Sequence, residues 1–239
     1  MKRLEHESVI VEFMGIGFDL SIIISVIVTC IIILLFSYIT TRKLSVKPGK
    51  AQLAIEYIAD FVKNMISSSM DWKVGEQFYL LGFTLFLFIW VANIVGLILV
   101  INIGGFSYFK SPTASPVVTL ALALLVILMT HYYGVREQGF KDYFMNSYIR
   151  PVPALFPIKI LEEFTNTLTL ALRLYGNVFA GEILLGLIAS LALSFGPWTW
   201  IIGIPLQMVW QGFSIFIGSI QAFVFTTLTM VYLSHKIEH

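Results

Sequence analysis

Charge is scarce in this sequence. Only 12% of its 239 residues are Asp, Glu, Lys or Arg, while 58% are apolar. A water-soluble domain carries roughly 25% charged residues, so most of this chain's surface must face something other than water. The net charge of +1 lacks the basic excess that a nucleic-acid face requires, which excludes that class of partner. Cysteine is nearly absent: Cys30 stands alone in an apolar run, which excludes a disulfide framework and a Cys-based metal site and leaves a small packing residue. The four histidines form no H-E-x-x-H pattern, so that metal motif is missing too. There is no Gly-rich phosphate loop, no dinucleotide fingerprint and no nucleophile–base pairing. No cofactor is expected, and the isolated chain is not expected to be an enzyme. A cleaved leader is not expected either. Lys2 and Arg3 are followed by Glu5, Glu7 and Glu12, and the first apolar run begins only near Leu20, with no small-residue cleavage pattern after it.

What the sequence has in abundance is long apolar tracts. Runs of about 18 or more such residues read as membrane spans. Five are expected, at approximately 20–41, 78–103, 116–135, 157–195 and 198–234. A turn through Gly104-Gly105 to Ser115-Pro116 precedes the third, and Gly196-Pro197 separates the last two. No internal repeat or linker interrupts them, so residues 1–239 read as a single membrane domain of the all-α, polytopic class. Between the first two runs, residues 50–70 differ in kind. Leu53, Ala54, Tyr57, Ile58, Phe61, Val62, Met65 and Ile66 recur at helical spacing, with Gln52, Glu56, Asp60, Lys63, Asn64 and Ser67 opposite. This amphipathic helix either lies in the membrane interface or packs against a partner; its pattern fits both.

Orientation follows from Lys and Arg in the short loops. Arg42, Lys43, Lys47 and Lys50 follow the first span, and Arg136, Lys141, Arg150 and Lys159 follow the third. The loop between spans two and three has only Lys110, and the C-terminus carries Lys236. The expectation is an N-terminus outside and a C-terminus in the cytoplasm. Lys2 and Arg3 point the other way, but the acidic residues around them make the short tail exportable.

The fourth tract carries charges that lipid disfavours: Glu162, Glu163, Arg173 and Glu182. An Arg at the bilayer centre costs about 2.5–3.5 kcal/mol even on insertion scales, so it persists for a job or a partner. At about 100° per residue, Glu162, Asn166, Thr169, Arg173, Asn177 and Ala180 fall within an arc of roughly 80°. Glu182 lies on about the opposite face. The fifth tract repeats the stripe without charge, through Gln207, Gln211, Ser214, Gly218 and Gln221, and on through Phe225 to Thr229 and Tyr232. Such residues hold water and hydrogen bonds, or glue helices together. Helices of about 37 residues would be roughly 55 Å long against a hydrocarbon core of about 30 Å, so steep tilting is expected.

The run Arg173-Leu174-Tyr175-Gly176-Asn177-Val178-Phe179-Ala180-Gly181-Glu182 resembles the signature of subunit a of the bacterial F-type ATP synthase membrane (Fo) sector, in its Bacillus-type form. The segment Gln221 to Leu233 is similar to that family's final helix, and Ser111-Pro112-Thr113-Ala114 and Arg150-Pro151-Val152-Pro153 match its loops. The resemblance implies a proton-translocating stator beside a ring of c subunits, held by the b-subunit peripheral stalk in a bacterial plasma membrane. Two offset half-channels would lead protons to and from the ring carboxylates. Arg173 would be the charge gate, Asn177 and Gln221 its polar neighbours, and Glu182 part of the outer half-channel. Glu162 and Glu163 suit the cytoplasmic mouth by position. Two departures stand out. Many members have His where this chain has Ser214, which would leave Glu182 to water or Gln211, and many have an acid where it has Ser115. The rival reading is a stand-alone secondary transporter or ion channel, which predicts repeats or a broken midplane helix. Of the remaining polar residues, Asn93 reads as inter-helix glue, His131 with Tyr132 and Tyr133 as an interfacial anchor, and His235 and His239 as exposed tail residues.

Overall fold

The computed structural model describes residues 7–8, 10–13, 16–42, 44–45, 47–98, 101–103, 106–149, 155–194 and 197–237. Lys2, Arg3, Glu5, Lys43, Gly104, Gly105, Arg150, Pro151, Val152, Pro153, Phe195, Gly196 and His239 lie outside them. Short strands β1 (Glu7–Ser8), β2 (Ile10–Phe13) and β3 (Ile16–Asp19) lead into α1 (Leu20–Thr41). Then come α2 (Lys50–Ser69) and α3 (Trp72–Gly75), with a 3-10 turn running into α4 (Tyr79–Ile98). Strands β4 (Ile101–Ile103) and β5 (Phe106–Phe109) precede α5 (Pro116–Gln138) and α6 (Phe140–Phe144), which continues as a π turn to Ile149. Two long helices follow, α7 (Phe156–Ser194) and α8 (Pro197–Ile237).

Among the described residues five helical stretches are long and apolar enough to cross a membrane: Leu20–Thr41, Trp72–Ile98, Pro116–Gln138, Phe156–Leu191 and Gly203–Ile237. Helix is what lipid demands, because the backbone must satisfy its own hydrogen bonds there. Large apolar side chains point outward along these helices, with Leu34, Leu80, Val117 and Val209 all about 70% exposed or more, an arrangement water would not tolerate. The second span ends earlier than the apolar run suggests. Ile101–Ile103 leaves the helix and pairs antiparallel with β5, which pairs parallel with β1 in the order β1-β5-β4. A short apolar run reads the same as strand or helix. β2 and β3 form a separate antiparallel pair.

The chain divides into two compact units. The first comprises Met1–Ile39, Leu87–Ser115 and Leu174–Ala222; the second Thr40–Phe86, Pro116–Arg173 and Phe223–His239. In the first, Asp19 Oδ1 accepts from the N–H of Ser21 at 3.0 Å and so caps α1. The face of α1 that is buried is its polar one, Ser21, Ser25 and Thr29. Ser25 and Thr29 donate to carbonyls four residues back at 2.7 and 2.8 Å, and Ser25 Oγ also accepts from Lys110 N–H at 3.3 Å. Gly96 lets the Ser111 turn sit on α4. A Cβ there would overlap Ser111 Cβ and Oγ and lie 2.6 Å from its Cα.

In the second unit, α2 packs one face against α4 and α8 of its own chain. Val62, Met65 and Ile66 are buried, Val62 and Ile66 lie beside Gly82 of α4 with Met230 of α8, and Phe61 meets Phe86 and Phe223 at 5.5 and 5.9 Å between ring centroids. Tyr57 and Leu53, one and two turns before Phe61, stay exposed. Further on, Gly139 takes φ +81°, a left-handed conformation that suits glycine. It turns the chain from α5 into α6. Gln138 then donates to the carbonyl of Lys236 at 2.9 Å, tying the end of α8 to the end of α5.

Candidate functional site

Within the second unit, α5, α7, α8 and the π turn enclose a cavity of about 380 Å³. Lys159, Glu162, Glu163 and Asn166 reach it from α7, and Tyr232, His235 and Lys236 from α8. Glu163 is the most engaged of these. Its Oε1 lies 3.1 Å from His131 Nε2 and 3.4 Å from Lys236 Nζ, and Lys236 Nζ also stands 5.6 Å over the Tyr143 ring. Glu162 faces the same cavity but is exposed. His131 is therefore a close polar neighbour of Glu163, beyond the anchoring role its neighbours Tyr132 and Tyr133 suggest. Nor is the tail of α8 a bystander: His235 is exposed as expected, yet it lines this cavity.

The first unit contains a smaller cavity of about 110 Å³. Asn177 and Gly181 line it from α7, Trp210, Ser214 and Gly218 from α8, and Asn93 from α4. Ser214 Oγ is buried and has no hydrogen-bond partner among the described residues. A cavity this size admits water, and a buried hydroxyl needs it. A directed chain of hydrogen bonds runs from the cavity wall. Asn93 Nδ2 donates to Gly218 O at 2.9 Å, so its Oδ1 is left to accept from Thr113 Oγ1 at 2.7 Å. The Thr113 hydroxyl, its proton committed, accepts from Ser111 Oγ at 2.8 Å. The N–H of Ser111 points at Glu182 Oε1, 3.4 Å away. Asn93 thus bonds α4 to α8, as glue would, and also lines the cavity.

The sequence-predicted residues fall into groups. Glu162, Glu163 and Asn166 share the larger cavity, and Asn177 and Ser214 the smaller. Gln211 does not serve Glu182: its Nε2 donates to Leu97 O at 3.2 Å, while Ser111 N–H approaches Glu182. Gln221 is buried, with Nε2 lacking an acceptor among the described residues. Thr169 and Gln207 line neither cavity. Arg173 lines neither either, and it is exposed. The reading of single helices missed the contacts of His131 and Lys236 with Glu163 and the Ser111–Thr113–Asn93 hydrogen bonds. The one available signal was a matched hydroxyl pair in the Ser-Pro-Thr-Ala turn.

Comparison with known proteins bears on the same residues. A family model described as ATP synthase A chain matches residues 22–234. Subunit a of the ATP synthase of Bacillus velezensis is 51% identical over 244 residues, covering 99% of each chain. That of Bacillus subtilis is 52% identical over 243 residues, again with 99% of each covered. That of Enterococcus faecalis is 50% identical over 236 residues, with 98% of this chain and 99% of the relative covered. A match running through all five membrane helices and both cavities leaves one conclusion: this multi-pass membrane chain belongs to the ATP synthase subunit a family.

Proposed function

We propose that the chain is the stator of the proton-driven rotor of ATP synthase, passing protons to and from the carboxylates of a c-subunit ring. One observation supports this most. The two cavities share no lining residue, each draws on both α7 and α8, and Arg173 lines neither. Offset half-channels need that property, since a continuous pore would dissipate the gradient. In this reading Asn177, Ser214 and Glu182 serve the outer half-channel, with Gln207, Gln211 and Gln221 along its stripe. Glu162, Glu163, Asn166 and Thr169 serve the cytoplasmic one.

Arg173 is the charge gate. A cation beside a ring carboxylate favours its ionised form, whereas lipid favours the neutral form. The carboxylate releases its proton on approaching Arg173, takes another from the opposite half-channel, and turns neutral into lipid. Protonation thereby rectifies rotation. The b-subunit peripheral stalk holds the chain still, and the rest of the complex makes ATP; the isolated chain is no enzyme. The whole of residues 1–239 acts as one domain in the bacterial plasma membrane, N-terminus outside and C-terminus in the cytoplasm, as the Lys and Arg loops imply.

The rival, a self-sufficient transporter or channel, makes a different forecast. Vesicles carrying the complex with the ring carboxylate replaced by its amide should show no passive proton flux if ions must ride the ring. Undiminished flux would mean that this chain conducts alone and is not a stator.

A further inference from the structure

His131 makes two contacts that together constrain a proton. Its Nδ1 lies 2.8 Å from the carbonyl of Ile127. A carbonyl has no hydrogen to give, so Nδ1 must carry one. A neutral imidazole has only that one N–H, and Ile127 takes it. Yet Nε2 stands 3.1 Å from Glu163 Oε1, a distance that two bare lone pairs would not keep. A second proton must lie between them, on the ring as imidazolium or on the carboxyl as acid. The partners of the two ring nitrogens fix the tautomer.

We infer that His131 and Glu163 share this proton as a relay station in the wall of the larger cavity. The inference rests on the proposed reading of that cavity as a half-channel. The Nδ1 proton stays on Ile127, and only the proton between Nε2 and Oε1 moves. It leaves to cavity water on one side and is replaced by one from the other, so each passage takes one proton in and gives one out. The side chains are 30% and 21% exposed, enough for water to reach both. The charged and titratable groups around the pair are Lys236, 3.4 Å from the same oxygen, Lys159, Glu162, Tyr232 and His235 around the cavity, and Tyr143, whose ring lies 6.1 Å from the imidazole. Lys236 holds the carboxylate in place by charge, and Gln138 in turn holds the backbone carbonyl of Lys236 at 2.9 Å. Two helices thus fix the donor and the acceptor of one proton.

The test must separate a relay from an ordinary ion pair. His131→Lys keeps a cation opposite Glu163 and would satisfy a purely structural role. His131→Gln keeps a hydrogen bond but carries no exchangeable acid. In vesicles holding the whole complex, with flux counted per assembled complex, both variants should lower passive proton flux by about tenfold. That is less than the roughly 10²-fold typical of losing a positioned proton-transfer group, because cavity water offers a bypass. Glu163→Gln should cost the same, and the double variant His131→Gln with Glu163→Gln should cost no more than either alone. Wild-type flux in His131→Lys would overturn the inference. Arg173→Ala, run beside them, keeps the outcomes distinct: if it alone stops transport, only the relay falls; if it leaves transport intact, the stator reading falls first.

Discussion

Gradient-driven ATP synthesis in vesicles should fall about 10³-fold when Arg173 is replaced by alanine, on the strength of a pairing worth about 4 kcal/mol at 4 Å and an effective dielectric constant near 20. That estimate is for one guanidinium facing one carboxylate, with each 1.4 kcal/mol corresponding to a factor of ten. The side chain is exposed on the polar stripe of α7 and lines neither cavity, so its removal opens no void in the fold. Assembly should therefore survive, and subunit content of the purified complex checks that point. A normal rate of synthesis in the assembled variant would reduce the stripe to a structural feature and remove the basis of the mechanism. Loss of synthesis with intact assembly identifies the gate.

Glu182→Gln should give the second largest effect, a fall of about tenfold, short of the roughly 10²-fold often seen when a positioned proton-transfer group is lost. The substitution is informative because it is nearly silent in shape. Gln Oε1 still accepts from Ser111 N–H, the contact Glu182 makes at 3.4 Å, and only the exchangeable proton disappears. The loss is partial because the cavity beside Ser214, whose hydroxyl has no partner among the described residues, leaves room for water. Synthesis in vesicles across a fixed gradient measures it. No change at all would show that the outer path bypasses Glu182 entirely, and a loss as deep as that of Arg173→Ala would show that water does not substitute.

The membrane helices were legible because lipid enforces a simple rule. A run of twenty apolar residues has one way to satisfy its backbone, so α1, α7 and α8 begin and end within a few residues of their hydropathy limits. Where the rule lapses, so does the reading. Ile101–Ile103, with only Asn102 polar, closes the apolar run that begins in α4, but it pairs with β5. The turn at Gly139 into α6 left no periodic trace, because a five-residue helix is too short to show one. The site divides the same way. Helical spacing alone groups Glu162, Asn166 and Arg173 on one face, since all three ride one helix. His131 and Glu163 stand 32 positions apart on different helices, and Ser111 stands 71 positions from Glu182. Such pairings are made by packing, and a single sequence carries no periodic signal for them.

The exposure of Arg173 also bears on how the complex comes together. The Arg173 side chain is exposed, and in a bilayer an arginine at mid-depth costs about 2.5–3.5 kcal/mol. A folded domain often has only 5–15 kcal/mol of stability in total, so this is a large standing penalty. It ends only when a neighbour presents an opposite charge. On the proposed reading, a chain without its ring carries this penalty unrelieved, and docking to the ring carboxylates removes it. On that reading, surplus copies made without a ring should be cleared from the membrane faster than assembled ones.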